Sequence, residues 1–148
     1  MQDIPFKNAD YELWLQFSGT QAAISQARQK KVGRYVHHNQ AAALVIIWRE
    51  EGMATPGFVS KALFLKNHSV SELLTRLEKK GLIEKTRDKI QGNIVRLSIT
   101  PKGKEYCTRV TQADFIIRVM SSLSEEQKQQ LQEILHTLIN SVRAETES

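Results

Sequence analysis

Residues 67–87, NHSVSELLTRLEKKGLIEKTR, combine a short amphipathic helix with a strand that follows it directly. Gly81 stands at the end of the helical pattern, where a helix C-terminus favours positive φ. The apolar residues recur at i, i+3, i+4 and i+7, which is one face of a helix: Val70, Leu73, Leu74 and Leu77. The opposite face is polar and basic. A small helix with one buried face and one polar face is typical of structures that enter the DNA major groove.

The outer face and the N-terminus of this predicted helix supply the candidate DNA-binding residues, which are Asn67, His68, Ser69, Ser71, Glu72, Thr75, Arg76 and Lys79. The small polar side chains and His68 are the best candidates for base contacts. Arg76 and Lys79 lie further along the helix, where phosphate contacts position a protein without reading sequence. Glu72 has two interpretations that the sequence leaves open. It accepts a hydrogen bond from cytosine N4, or it closes a capping box with Ser69 at the helix start.

The middle third of the chain carries most of the positive charge. The 148 residues have a formal net charge of +5. Residues 61–105 hold eleven Lys/Arg against five Asp/Glu, whereas 1–60 hold six against five and 106–148 hold four against six. This distribution suits a polyanionic partner, although a solvated basic surface is an equally good explanation of the charge alone.

Other classes of protein find little support in the sequence. No run of about 18 apolar residues predicts a membrane span. The N-terminal residues lack the pattern of a secretion signal, and a single cysteine, Cys107, fits a reducing cytoplasm. We therefore expect a cytoplasmic protein. Neither a phosphate-binding loop nor a catalytic motif is visible, and the four histidines lack zinc-ligand spacing. We expect no cofactor, no metal and no enzymatic activity.

Apolar spacing and turn signals predict the remaining elements. A long helix is predicted over 10–36, and a second over 40–51 with Asn39 as its N-cap. A third begins at Thr55-Pro56 and ends near Leu65. Its predicted buried stripe consists of Phe58, Val59, Ala62 and Leu63.

After the fourth helix, the sequence predicts a β-hairpin that turns at Gly92-Asn93. A helix over 101–121 follows, and Ser124 to Gln127 form a capping box that opens the last helix. The apolar face of that last helix comprises Leu131, Ile134, Leu135, Leu138, Ile139 and Val142. Together with the long first helix it offers more apolar surface than a small core covers, so dimerisation through both termini is favoured over packing within one chain.

Helix, helix, outward-facing helix and hairpin form a winged helix-turn-helix, and the chain resembles the MarR family over nearly its whole length. The resemblance rests on SVSELLTRLEKKGLIEKTRD, VRLSITPKGKEY and LSEEQKQQLQEIL, in this order. It implies a mainly α fold with a small β-hairpin wing. The winged core is expected over 39–100, and helices over 10–36 and 101–146 are expected to form the dimer. It also implies a homodimeric repressor of a palindromic double-stranded DNA operator, of a kind that is often released by a small aromatic ligand.

The wing departs from the pattern of the family it resembles. That pattern has an Asp-x-Arg pair at the wing tip, whereas this chain has Gln91, Gly92 and Asn93 there. Arg87 and Lys89 are the nearest cations and are the candidate substitutes. The candidate wing and phosphate contacts are Lys61, Lys66, Arg87, Lys89, Gln91 and Asn93.

A ligand pocket and the role of the cysteine are further interpretations. Trp14, His37, His38 and Trp48 are candidate pocket residues, with a place in the core as the alternative for the tryptophans. Cys107 is expected to be a buried structural thiol, because the resemblance places reactive cysteines near the first helix. The alternative function is a winged-helix protein-interaction module without sequence-specific DNA binding.

Overall fold

A computed structural model describes residues 8–32, 38–112 and 115–147. The chain divides into two compact units, Met1–Ala113 and Asp114–Ser148. The described elements of the first unit are α1 (Ala9–Val32), α2 (His38–Arg49), α3 (Pro56–Leu63), α4 (Asn67–Lys79), β1 (Ile83–Arg87), β2 (Val95–Ile99) and α5 (Pro101–Gln112). The succession of α2, α3, α4 and a hairpin confirms the predicted winged helix-turn-helix.

Helix α2 lies at the centre of the core. Leu44 and Ile47 of α2 are completely buried, and α2 contacts α3, α4, β2 and α5. Helices α3, α4 and α5, both strands and the residue before β1 contribute buried residues to the same cluster: Val59, Val70, Leu74, Leu77, Leu82, Ile83, Leu97 and Cys107. Burying aliphatic side chains of this size contributes roughly 1.5–3 kcal/mol each. This cluster therefore fixes which face of each helix points outward.

Helix α3 begins as predicted, but its buried stripe is narrower than predicted. The Thr55 hydroxyl accepts the Phe58 N–H at 3.1 Å, and Pro56 is the first helical residue. Val59 is buried, whereas Phe58 and Ala62 are exposed, so their assignment to the core was wrong. In a helix of only eight residues one ridge meets the core, and residues 58 and 62 lie on the neighbouring ridge, about 100° away.

Two predicted boundaries need correction. Helix α2 begins at His38, so Asn39 lies inside the helix and is not its N-cap. Helix α3 ends at Leu63 because Phe64 adopts the left-handed conformation, with φ 53°. Of the helix predicted over 101–121, the structure describes helical residues Pro101–Gln112 (α5) and Phe115–Met120 (α6), and residues 113–114 lie outside the described residues. Residues 33–37 at the end of the first predicted helix lie outside the described residues.

The hairpin is a two-stranded antiparallel sheet attached to the loop between α2 and α3. Its register pairs Ile83 with Ile99 and Arg87 with Val95. The Leu97 N–H donates to the Ala54 carbonyl at 2.8 Å, which extends the pairing to the α2–α3 loop. Because Leu97 is completely buried, the base of the hairpin belongs to the core.

The second unit contains α6 (Phe115–Met120) and α7 (Glu125–Thr146). Helix α7 begins with the predicted capping box, in which Ser124 and Gln127 exchange side-chain and backbone hydrogen bonds at 3.1 and 2.9 Å. Large apolar side chains of α7 stay exposed in the single chain, namely Ile134, Leu135, Leu138 and Val142. Among the described residues, no helix is long and apolar enough to cross a membrane.

Candidate nucleic-acid interface

Helix α4 is anchored by its apolar face, as the sequence predicts. Val70, Leu73, Leu74 and Leu77 are all buried in the core. The helix ends where Gly81 adopts φ +71°, and Leu82 and Ile83 then enter the core at the start of the wing. Since four buried side chains and the following strand hold α4, its outer face is presented in a fixed orientation.

The structure places every predicted α4 residue on the exposed surface. These residues are Asn67, His68, Ser69, Ser71, Glu72, Thr75, Arg76 and Lys79. The Thr75 hydroxyl donates to the Ser71 carbonyl at 2.9 Å, within the helix. This bond uses its proton and leaves oxygen lone pairs that accept hydrogen bonds from a base edge.

Glu72 does not cap the helix. The helix starts at Asn67 with Lys66 as N-cap residue, and no side chain caps it, so Ser69 already lies within the first turn. The capping-box interpretation is therefore wrong. Instead, a Glu72 carboxylate oxygen lies 3.4 Å from Nε2 of His68, one helical turn earlier, and both side chains are mostly exposed. The pair presents an imidazole and a carboxylate together on the outer face.

Five cations in the helix-turn-helix and the wing have neither an ion-pair nor a hydrogen-bond partner for their side chains within the described part of the chain: Lys61, Lys66, Arg76, Lys79 and Lys89. All five are exposed. In contrast, Lys85 pairs with Glu78 at 3.3 Å, and Lys80 donates to the Gln40 side chain at 3.1 Å. Free exposed cations are the groups that neutralise phosphates and release counterions.

The junction between α4, the wing and α5 is closely packed. The Thr100 hydroxyl donates to the Gly81 carbonyl at 2.6 Å and accepts the Gly103 N–H at 3.0 Å. The Lys102 ammonium donates to the Lys80 carbonyl at 2.9 Å. Gly103 lies so close to Leu82 that an added Cβ would be 2.0 Å from its carbonyl oxygen. These contacts set the position of the wing relative to α4.

Asp88 orders the tip of the wing. Its Oδ1 atom accepts hydrogen bonds from the backbone N–H groups of Ile90 and Gln91 at 2.9 Å, and its Oδ2 atom accepts a hydrogen bond from Nε of Arg96 at 2.9 Å. The N–H groups of Gln91 and Ile90, followed by the guanidinium of Arg96, lower the pKa of Asp88 to about 2. The carboxylate is therefore ionised throughout the physiological range, and its charge is shared among three donors.

Two arginines extend this arrangement. Arg96 also donates from Nη1 to the Met53 carbonyl at 3.0 Å, which links the wing to the α2–α3 loop. Arg87 donates from Nη1 to the Gly92 carbonyl at 3.0 Å, across the tip. We call Arg87, Asp88 and Arg96 the wing frame. Lys89, Gln91 and Asn93 lie exposed around it, as predicted for wing contacts.

The structural roles of Asp88 and Arg96 were missed by the sequence analysis. The nearest local signal was an Asp at the start of the seven-residue loop between the strands, because aspartate side chains accept hydrogen bonds from N–H groups two or three residues later in the chain. The partner Arg96 follows eight residues later on the opposite strand, and only the register of the hairpin brings the two together.

Comparisons with known proteins agree with this geometry. A model of the MarR family matches residues 36–89, from the start of α2 through the wing strand β1. The chain is 26% identical over 107 residues to the organic hydroperoxide resistance transcriptional regulator of Bacillus subtilis (strain 168), which is 72% of each chain. It is also 33% identical over 72 residues to the HTH-type transcriptional regulator TtmR of Methylorubrum extorquens (strain PA1). The winged helix-turn-helix of this chain is therefore similar to that of the MarR family.

The extent of these matches differs. The match to TtmR covers 46% of this chain and only 36% of that regulator's length. The crystal structure of an S. aureus MepR–DNA complex shares the fold along most of both chains, with a TM-score of 0.66, 22% identity and coverage of 92% and 99%. This similarity supports the winged-helix architecture.

The residues proposed for a ligand pocket are only partly described. Trp14 and Trp48 are both substantially exposed, so a place in the core does not explain them. The Trp14 ring lies 6.0 Å from that of Phe17, and the Lys104 ammonium lies 5.6 Å from the Trp48 ring centroid. His37 lies outside the described residues, and His38 is described only as the first residue of α2. The pocket stays a prediction.

Cys107 is buried in the core, as expected for a structural thiol. Its burial raises the pKa of the thiol above the ordinary value, which disfavours the reactive thiolate. Among residues 8–32, 38–112 and 115–147, no group of three or more His, Cys, Asp or Glu side chains is placed to hold a metal ion.

Proposed function

We propose that the protein is a sequence-specific DNA-binding transcriptional regulator that acts as a homodimer. The observation that carries this proposal is the exposed polar face of α4, held outward by four buried residues and bordered by unpaired cations. In this arrangement α4 enters the major groove, where Thr75, His68 and Glu72 meet base edges. Arg76, Lys79, Lys61 and Lys66 then contact phosphates, and the wing reaches the neighbouring minor groove.

The dimer follows from the apolar surface of the helices outside the winged core. Helix α1 exposes Leu13, Trp14, Leu15 and Phe17, and α7 exposes Ile134, Leu135, Leu138 and Val142. A second copy covers such surface at a gain of about 25 cal/mol per Å² of apolar area. A two-fold dimer presents two copies of α4 to successive major grooves, so the site it binds is a palindrome.

The regulator is further proposed to be a repressor released by a small aromatic ligand. This part rests on the family resemblance and on the exposed Trp48 ring with its Lys104 cation. Titration of small phenols and other aromatic acids into a preformed complex with DNA tests it. Release of DNA by at least one of them supports a ligand-responsive regulator, and unchanged affinity across the series contradicts this part of the proposal.

Salt dependence tests DNA binding itself. If the five unpaired cations of each protomer contact phosphate, a dimer makes about ten contacts, and log K falls against log[salt] with a slope of about −9. Fluorescence anisotropy with fragments enriched from genomic DNA measures this slope. Lys79→Ala should reduce it by about two, one contact per protomer, whereas Lys128→Ala should leave it unchanged because Lys128 pairs with Glu125 in α7. No retention of any fragment, or a flat salt response, would favour a protein-interaction module instead.

A further inference from the structure

The tip of the wing carries an apolar side chain with no intramolecular role. Ile90 is 93% exposed, the highest value among the large apolar side chains of the described residues. It lies between Lys89 and Gln91 in the loop of the hairpin, outside the core cluster. Isolated exposed apolar residues are common, so exposure alone assigns no function. The residues around Ile90 indicate its function.

The backbone that carries Ile90 is held on both sides. Its own N–H donates to Asp88 at 2.9 Å, and the Ile94 N–H donates to the Gln91 carbonyl at 2.8 Å, closing the turn. The Arg87 guanidinium holds the Gly92 carbonyl, and Asp88 is tied through Arg96 to the α2–α3 loop. The wing frame therefore presents Ile90 at a defined position relative to the helix-turn-helix.

The neighbours of Ile90 match one kind of partner. Proteins that bind the DNA minor groove combine Lys, Arg, Asn or Gln side chains with an apolar wedge, often Ile, Leu, Met or Phe, placed against a base step. The wing tip carries Lys89, Gln91 and Asn93 around Ile90, all exposed, and has no arginine at its end. Lys89 supplies the charge complementarity to phosphate, and Gln91 and Asn93 supply donors for the groove floor.

We propose that Ile90 is a specificity-determining residue that contacts the floor of the DNA minor groove and wedges against a base step flanking the site bound by α4. This inference rests on the proposed function. A G·C pair places the guanine N2 amino group on the groove floor, where it obstructs an apolar side chain, whereas A·T pairs leave the floor open. Pyrimidine–purine steps such as TA unstack with the least cost. The wing therefore selects A·T-rich flanks that contain a TA step.

Replacing guanine by inosine distinguishes a contact in the minor groove from an effect of the major-groove edge. An I·C pair presents the major-groove edge of G·C, but it lacks the N2 amino group in the minor groove. The probe is a duplex that the full-length wild-type protein selects from a random-sequence library. It is prepared in three versions that all keep a pyrimidine–purine step at the flanking position: TA, CG (the G·C version) and CG with inosine in place of guanine (the I·C version). We expect the wild type to bind the TA and I·C versions about tenfold more tightly than the G·C version, the usual effect of one unfavourable base pair.

Variants of Ile90, with a control in α4, test whether this side chain causes the preference for the flanking sequence. Ile90→Ala should reduce the preference to about twofold or less, and Ile90→Leu should retain it, since both Ile and Leu serve as wedges. Thr75→Ala is the matched control in α4, because it should weaken binding to all three duplexes and leave their ratio unchanged. Thermal unfolding of Ile90→Ala should equal that of the wild type, because the side chain buries no surface within the chain.

A second measurement detects the unstacking of the flanking base step directly. With 2-aminopurine placed in the flanking step, binding of the wild type should raise its fluorescence through unstacking, and Ile90→Ala should not. Equal wild-type affinity for G·C and I·C flanks, or an unchanged preference in Ile90→Ala, would overturn the role of Ile90 while leaving DNA binding by α4 in place. Failure of the wild type to select any duplex would instead refute the proposed function, and the wedge with it.

Discussion

Replacing Gly103 by alanine tests the junction that holds the wing against α4. The added Cβ would lie 2.0 Å from the Leu82 carbonyl oxygen and 2.8 Å from the Ile99 side chain. Ordinary contacts between a carbon atom and a carbonyl oxygen begin at about 3.3 Å, so the backbones at residues 103 and 82 must move apart by more than about 1 Å. That separation pulls apart the hydrogen bond from the Thr100 N–H to Leu82, now 3.1 Å, and strains the bond from Thr100 to Gly81.

The cost follows from these two effects. Overpacking of a well-packed core costs about 1–3 kcal/mol, and losing one buried hydrogen bond costs about 1 kcal/mol more. We therefore expect Gly103→Ala to lower the free energy of unfolding by about 3 kcal/mol. For a chain of this length, that corresponds to a decrease in Tm of about 9 °C.

The assay is thermal unfolding followed by circular dichroism, at one protein concentration because a dimer makes Tm concentration-dependent. Gly57→Ala in α3 is the matched control, since its Cβ would meet only the Thr55 hydroxyl oxygen at 4.0 Å. Gly57 is the second residue of α3, and replacing glycine by alanine at a compatible backbone position reduces the conformational entropy of the unfolded chain, so this variant should be as stable as the wild type or more stable. Equal Tm values for Gly103→Ala and the wild type would refute the close packing of α5 against the wing.

Three further outcomes are expected. Leu74→Ala should cost about 2–5 kcal/mol in chemical denaturation, because Leu74 is buried, whereas Phe58→Ala should cost about 1 kcal/mol or less; similar costs would contradict the orientation of α3 and α4. The Asp88 carboxylate should titrate by NMR with a pKa of about 2, below its ordinary 3.8. The ionised carboxylate therefore stabilises the wing fully above about pH 4, and this stabilisation is lost as the pH falls toward 2. A normal pKa would contradict the wing frame. Cys107 should react with a thiol reagent only upon unfolding, and rapid reaction of the native protein would contradict its burial.

The α4 helix was predictable because its information is local. Four aliphatic residues at helical spacing and a glycine at the end fix both its face and its length, and the structure confirms each of them. The hairpin was predictable for the same reason, since alternation in β2 and the turn near Gly92 lie close together in the chain. The capping box of α7 is equally local, with donors and acceptors three residues apart.

Predictions that depended on tertiary contacts were less accurate. The spacing of Phe58 and Val59 does not tell which of two adjacent ridges of α3 faces the core, because α3 is short enough to bury only one. Glu72 looked like a capping residue because the pattern Ser69-x-x-Glu72 is correct, but the N-cap residue is Lys66, three residues before Ser69. The Asp88–Arg96 pair joins two strands, so its detection required the register of the hairpin.

The central claim is that α4 reads base sequence while the surrounding cations bind phosphate, and selection of binding sites from a random DNA library tests it most directly. Wild type, Thr75→Ala and Lys79→Ala are each used to select duplexes. The account predicts that Thr75→Ala selects a changed or relaxed sequence with the wild-type salt dependence, and that Lys79→Ala selects the wild-type sequence with a reduced salt slope. Identical selected sequences for wild type and Thr75→Ala, together with unchanged affinity, would contradict the assignment of α4 as the sequence-reading helix.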